Sequence, residues 1–244
     1  MQGGVLADRR SVISSGIAVG LATAAYGVSF GALAVAAGFD VWQSCVLSLF
    51  MFTGGSQFAL IGVVAAGGLA AGPSAIASAT LLGLRNLIYG IRMKPVIQPH
   101  GLARITAPWL TIDESTAVAL AQRTPELSRV GFWATGIAVF IGWNLTTFAG
   151  ALIGNVLGDA RMWGMDAAAA AAFLGLIWPR LVTFQAGAVA VCAAVLALLL
   201  TPFVMPGIPV LAAGAVAVLV GWFNSFDRSA AATTGAAAGA EGEQ

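Results

Sequence analysis

The chain has 244 residues, of which 59% are hydrophobic and 9% charged, and its formal net charge is +1. A soluble domain carries about 25% charged residues, so this composition leaves too little charge to coat a water-facing surface. The near-neutral balance also excludes the basic field of a nucleic-acid binder and the acidic tail of a cation sink. What remains is an all-α, polytopic membrane bundle. At roughly 20 apolar residues per span, the length allows one membrane domain of about seven transmembrane helices, with a range of six to eight.

Residues 1–10 form a short N-terminal tail in which Arg9 and Arg10 precede the first apolar run. That run, 11–38, is far longer than the roughly 7–15-residue core of a signal peptide, so it reads as the first membrane helix. Further long apolar segments follow at 41–68, 73–93, 130–158, 167–181, 182–203 and 208–226. The separators carry stop signals: Gly38-Phe39-Asp40, Gly67-Gly68 with Gly72-Pro73, Trp178-Pro179-Arg180, and the pair Pro202 and Pro206. The fifth segment is short for a span, which suits a tilted, kinked or incomplete helix. Residues 227–244 are Ala, Gly, Thr and Glu without hydrophobic periodicity, the composition of a disordered tail. The single transport-sized domain is thus 11–226.

Its one sizeable polar stretch is a central loop, 94–129, where Pro95, Pro99, Pro108 and Pro125 prevent a continuous helix. Residues 113–122 suit a short amphipathic helix or a partial entry into the membrane. With seven spans, Arg92, Lys94, Arg104, Arg123, Arg129, Arg180 and Arg228 share one side, and Arg9, Arg10 and Arg161 the other. The positive-inside rule then places the central loop in the cytoplasm and the N-terminus outside, while one re-entrant segment would return the N-terminus to the cytoplasm. A faint internal echo links Gly16-Ile17-Ala18-Val19 to Gly136-Ile137-Ala138-Val139, and Gly38-Phe39-Asp40 to Gly164-Met165-Asp166. Three spans would separate the copies, so the echo admits an inverted repeat of the kind found in secondary transporters.

Polar residues inside apolar segments are expensive and point to function first. Thr53, Ser56 and Gln57 fall on one helix face beside Gly54 and Gly55, near the middle of the second segment. A glycine-broken helix at mid-depth marks a transporter binding site; small and hydroxyl residues also serve as a helix-packing seam. In the third segment Ser78, Arg85 and Arg92 are spaced by seven, with Tyr89 one turn beyond Arg85. Arg85 could hold a substrate carboxylate in its planar fork or form a structural ion pair. Asp113 and Glu114 could pair with Arg85 or relay protons, and Thr111 with Glu114 also fits a capping box. In the fourth segment Asn144 shares a face with Thr147, whereas Gly150 and Gly154 have close-packing spacing.

Other residues carry less. Asp40 and Asp166 precede apolar helices as N-caps. Cys45 and Cys192 read as small buried hydrophobes. His100 has no second ligand at metal spacing, and no Walker A, GxSxG or HExxH motif occurs, so neither metal, cofactor nor enzyme chemistry is indicated.

Several of these blocks, taken together, resemble the AzlC family, the large subunit of bacterial branched-chain amino acid exporters. They are Gly27-Val28-Ser29-Phe30-Gly31, the stretch 48–58 containing Phe52-Thr53-Gly54-Gly55-Ser56-Gln57-Phe58, Leu84-Arg85-Asn86-Leu87-Ile88-Tyr89, Asp113-Glu114 and Gly164-Met165-Asp166. The resemblance implies a secondary transporter in the bacterial plasma membrane that exports leucine, isoleucine, valine or similar amino acids, together with a small AzlD-type membrane subunit. With the polar residues read above, the leading expectation is substrate binding by Thr53, Gly54, Gly55, Ser56, Gln57, Arg85, Tyr89 and Asn144, and coupling or gating by Asp113 and Glu114. Where the family usually reads Asn-Leu-Arg-His, this chain has Gly83-Leu84-Arg85-Asn86, so a histidine relay does not carry over. The rival expectation is a non-transporting membrane subunit whose polar seams only bind partner helices.

Overall fold

A computed structural model describes residues 2–157, 174, 177, 178, 181–205 and 207–223. Gly164-Met165-Asp166, most of the fifth apolar segment and the tail at 227–244 therefore lie outside the described residues. The chain divides into two compact units, Met1–Leu174 and Gly175–Gln244. Among the described residues the first unit is helical throughout: α1 (Gln2–Ala36), α2 (Val41–Phe50), α3 (Gly54–Gly67), a 3-10 turn at Leu69–Ala71, α4 (Gly72–Ile97), α5 (Ala103–Trp109), α6 (Asp113–Leu120) and α7 (Pro125–Leu157). In the second unit α8 (Phe184–Leu200) packs on α9 (Ile208–Phe223).

Three helices are long and apolar enough to cross a bilayer, within Asp8–Ala36, Leu69–Ile97 and Pro125–Val156. They correspond to the first, third and fourth apolar segments. α8 and α9, with 17 and 16 residues, are shorter. The second segment, expected as one span, is instead broken at 51–53 into two half-helices.

α7 supplies a ruler for the first unit. Along α1, methyl groups built on Gly16 and Gly20 would lie 2.8 Å from Thr135 Oγ1 and 2.6 Å from Ala138 Cβ. Further on, Gly27 meets Thr146 and Gly31 meets Thr147 and Ala151, while on the other side Gly150 meets Val28 and Gly154 meets Ala32. The partners rise together, so α1 and α7 run parallel, backbone against backbone, through a seam that only glycines leave open. This corrects the inverted-repeat expectation for the echoed segments, because opposite orientation would make the partner numbers run in opposite senses.

The remaining helices take their direction from the same ruler. Trp42 packs on Phe148, Ser48 Oγ donates to Thr147 Oγ1 at 3.4 Å, and Phe52 packs on Phe140, so α2 descends α7. After the break Gly54 and Phe58 both lie against Trp143. α3 then leads through Gly68 (φ +63°) into α4, which packs beside it. The far end of α4 reaches the start of α7, where Arg129 donates to the Val96 carbonyl at 2.9 Å and to Gln98 Oε1 at 2.8 Å. α4 is therefore antiparallel to α7, and α2–α3 is a hairpin that enters and leaves at one end of the bundle.

The central stretch 94–129 forms the mirror case. α5 rises until Trp109 packs on Phe140 and Leu110 lies against Gly136; α6 then descends until Val118 lies against Gly131. The stretch expected as a polar loop is thus a hairpin entering from the opposite end, with Leu110, Thr111, Ile112, Ser115, Thr116 and Ala119 buried. Its apolar and hydroxyl residues pack on α1, α4 and α7.

This arrangement also corrects the expected sidedness. Because 41–68 is a hairpin and not a span, Arg9 and Arg10 at the start of α1 share an end with Arg92, Lys94, Arg104, Arg123 and Arg129. α4 continues past Pro95 to Ile97, longer than the 73–93 expected, because Arg129 holds its last turn. Gln98 (φ +47°) closes it, donating its backbone N–H to Lys94 O at 3.0 Å.

Candidate functional site

The two hairpin tips meet. Phe50, last in α2, stacks on Trp109, last in α5, with centroids 6.0 Å apart. Both outgoing limbs, α3 and α6, start at this junction, so two positive helix ends converge near mid-depth. Arg85 lies 12 residues from the end of α4, or about 18 Å at 1.5 Å per residue. That depth is beyond ordinary snorkelling reach in a core about 30 Å thick.

The guanidinium lies over Gly55 and the Trp143 ring over Gly54. A methyl on Gly55 would be 2.8 Å from Arg85 Nη2, and one on Gly54 would be 3.1 Å from the Trp143 ring. Arg85 Nη2 also pairs with Asp113 Oδ2 at 2.8 Å, and the two side chains are 31% and 21% exposed. Of the readings open for Arg85, an ion pair with Asp113 is therefore present. It is reachable, since neither partner is fully buried. No side chain caps the N-terminus of α3, where Thr53 stands at the cap position. Ser56 Oγ is buried there without a hydrogen-bond partner, next to Gly83, whose built methyl would be 3.4 Å away.

Gln57 has a different place from its neighbours. It is fully buried, and its Nε2 donates to the carbonyls of Met51 (2.7 Å) and Ser48 (3.4 Å), while Trp143 Nε1 donates to its Oε1 (2.8 Å). The side chain thus satisfies the Ser48 carbonyl, which the break in the helix leaves open, and adds a second bond to the Met51 carbonyl, which also accepts from Thr53 N at 2.7 Å. Ser115 does the same at the other tip: its Oγ donates to Leu110 O at 2.6 Å and accepts from Ile112 N at 3.1 Å. The cap position of α6 is thus Ile112, one residue past the Thr111 expected, and since its side chain has no acceptor only the Ser115 half of a capping box is present; Thr111 Oγ1 instead donates to Ala107 O at 2.7 Å. Asp40 does cap α2, in a reciprocal box with Gln43.

Other expected residues lie nearby. Tyr89 is half-buried one turn from Arg85, and Glu114 is half-buried beside Asp113. Asn144 donates to Phe140 O at 2.8 Å, one turn from the Phe52–Phe140 contact. Sequence reasoning passed over Trp143 and Ser115. Trp143 is lost among apolar neighbours, and Ser115 stands one residue past the conspicuous carboxylates. Towards the C-terminal end of α1, Phe30, Phe58 and Trp143 pack on one another at 0%, 1% and 4% exposure, covering that side of the junction.

Membrane-length apolar helices surrounding paired half-helices and a mid-depth ion pair define an integral membrane protein. The family model described as AzlC protein matches residues 18–157, from the middle of α1 to the end of α7, a range that holds both hairpins and the ion pair. The chain belongs to the AzlC family, and this membership together with the apolar helices is consistent with a membrane protein concerned with transport. No curated protein and no solved structure matches it.

Proposed function

We propose that this chain is a secondary transporter that exports branched-chain or similar small hydrophobic amino acids across the bacterial plasma membrane by alternating access, with a small AzlD-type subunit. The observation that carries the reading is the Arg85–Asp113 pair, half-reachable where two broken hairpins meet. A zwitterionic amino acid presents the same two charges. Its carboxylate takes the Arg85 fork, aided by the uncapped positive end of α3 at Thr53, Gly54, Gly55 and Ser56. Its ammonium takes Asp113. Gln57 holds the break open, Tyr89 and Asn144 flank the site, and Glu114 supplies a second carboxylate for coupling. The positive-inside rule places the cation-rich end, with the N-terminus, in the cytoplasm.

The test is counterflow of labelled leucine in proteoliposomes containing this chain and its partner. Arg85→Ala and Asp113→Asn should each reduce the rate by tenfold or more, because a desolvated charge-assisted contact is worth about 1.5–3 kcal/mol. Parental rates in both variants would remove the site assignment. No counterflow by the parent under any imposed gradient would favour a non-transporting subunit.

A further inference from the structure

The two glycines that open α3 each leave room for one side chain. A methyl group on Gly55 would lie 2.8 Å from Arg85 Nη2, 3.3 Å from Nη1 and 3.4 Å from Cζ, and these are the three nearest atoms outside its own helix. On Gly54 the three nearest all belong to the Trp143 ring, at 3.1, 3.5 and 3.7 Å. The α1–α7 seam is different, because a methyl on Gly31 or Gly150 would first meet a backbone carbonyl oxygen, of Thr147 or Val28. Gly55 has helical backbone without a positive φ, so no left-handed conformation calls for glycine there. Alanine would be the better helix former at this position. What the chain gains from the missing side chain is space for a guanidinium.

The neighbours of the two glycines would yield differently. Trp143 is almost fully buried and packs on Phe30 and Phe58, whereas Arg85 is partly exposed at the end of a flexible side chain. A methyl at position 55 would therefore move the fork and leave the backbone in place. The atom it would meet first, Nη2, is the one that pairs with Asp113 Oδ2 at 2.8 Å. Moving that atom breaks the ion pair. A lysine at position 85 has one bond fewer, so its ammonium would end near the present place of Cζ, in ordinary van der Waals contact with such a methyl.

We propose that Gly55 is a positioning residue: it leaves the space in which the Arg85 guanidinium lies against the first turn of α3, and so holds the fork where it pairs with Asp113 and meets a substrate carboxylate. The inference rests on the transport reading for the carboxylate, and adds to it a role for Gly55 that acts through Arg85.

The experiment is a double-mutant cycle on the full chain with its partner: Gly55→Ala, Arg85→Ala and the two combined, each followed by thermal unfolding and by leucine counterflow. Side chains in contact couple, so the change in melting temperature on Gly55→Ala should be more negative by about 2–4 °C with Arg85 present than in the Arg85→Ala background. Gly62→Ala is the control within the same helix, since a methyl there meets nothing, and it should show no such coupling. Equal shifts from Gly55→Ala in the two backgrounds would overturn the proposal. In counterflow, Gly55→Ala should raise the half-saturating leucine concentration about tenfold, the loss of one charge-assisted contact. It should weaken Arg85→Lys no further, because the shorter side chain clears the methyl. Unchanged half-saturation in Gly55→Ala, or an equal further loss in Arg85→Lys, would also overturn the proposal. If the shifts are equal while counterflow persists and depends on Arg85, the positioning role fails and the transport reading stands. If they are coupled and the parent shows no counterflow, Gly55 remains the positioner of the ion pair and the transport reading fails.

Discussion

Gln57 illustrates how a polar residue in an apolar segment can serve function without touching a ligand. Its amide answers three partners, and two of them are backbone carbonyls at the break between α2 and α3. Gln57→Ala would leave the Trp143 N–H and the Ser48 carbonyl unpaired, at about 1–3 kcal/mol for each orphaned group. The expected outcome is a lowered melting temperature of the detergent-solubilised protein and a loss of transport with it. An unchanged melting temperature would show that water replaces the amide. Gln57→Glu should be worse than alanine, because a carboxylate would face the Met51 and Ser48 carbonyls at the positions where an N–H now donates. Arg85 differs in kind: it has an ionic partner and partial exposure, so its loss should affect transport more than stability.

At the scale of elements, the parallel packing of α1 on α7 is what positions both hairpins. The seam depends on close backbone approach, which is legible in the glycine spacing but not in its direction. Gly31→Leu would force a side chain into the Thr147 carbonyl and the backbone at Gly150 and Ala151. Overpacking of this kind typically costs about 1–3 kcal/mol, and more where backbone must move. Gly62→Leu is the matching control, because a side chain there meets nothing within 4 Å. Thermal unfolding should separate the two variants, and equal melting temperatures would contradict the parallel seam. The two hairpins follow a shared logic: a short incoming helix, a three-residue tip, and a polar side chain from the outgoing first turn that answers the incoming carbonyls. Gln57 and Ser115 do this with different chemistry, which is why no sequence echo connects the hairpins.

For the whole molecule, the hairpins change which charges share a side. Every described Lys and Arg except Arg85 gathers at the end where α1 and α7 begin and α4 finishes. Single cysteines replacing Arg10 and Arg104 should therefore react with an impermeant reagent from the same face of the membrane, and one replacing Trp42 from the opposite face. Opposite labelling of positions 10 and 104 would restore the arrangement in which 41–68 crosses the bilayer. Entry of two polar hairpins from opposite ends also explains how backbone breaks persist at mid-depth. Irregular backbone is tolerated there because it is enclosed by α1, α4 and α7 rather than facing lipid.

Composition alone determined that this chain lives in a membrane, because 9% charged residues cannot cover a water-facing surface. The sequence also marked the break at Thr53–Gln57, the stripe through Arg85 and the carboxylates at Asp113 and Glu114, since polar groups in an apolar run are individually costly. Hydropathy records how greasy a segment is and not which way it turns, so two half-helices at 41–68 were indistinguishable from one span. Only the tertiary structure decided that this segment doubles back, that α1 and α7 run parallel and that Arg85 meets Asp113. Those facts rest on contacts between residues 28 to 122 positions apart in the chain, which no local pattern encodes.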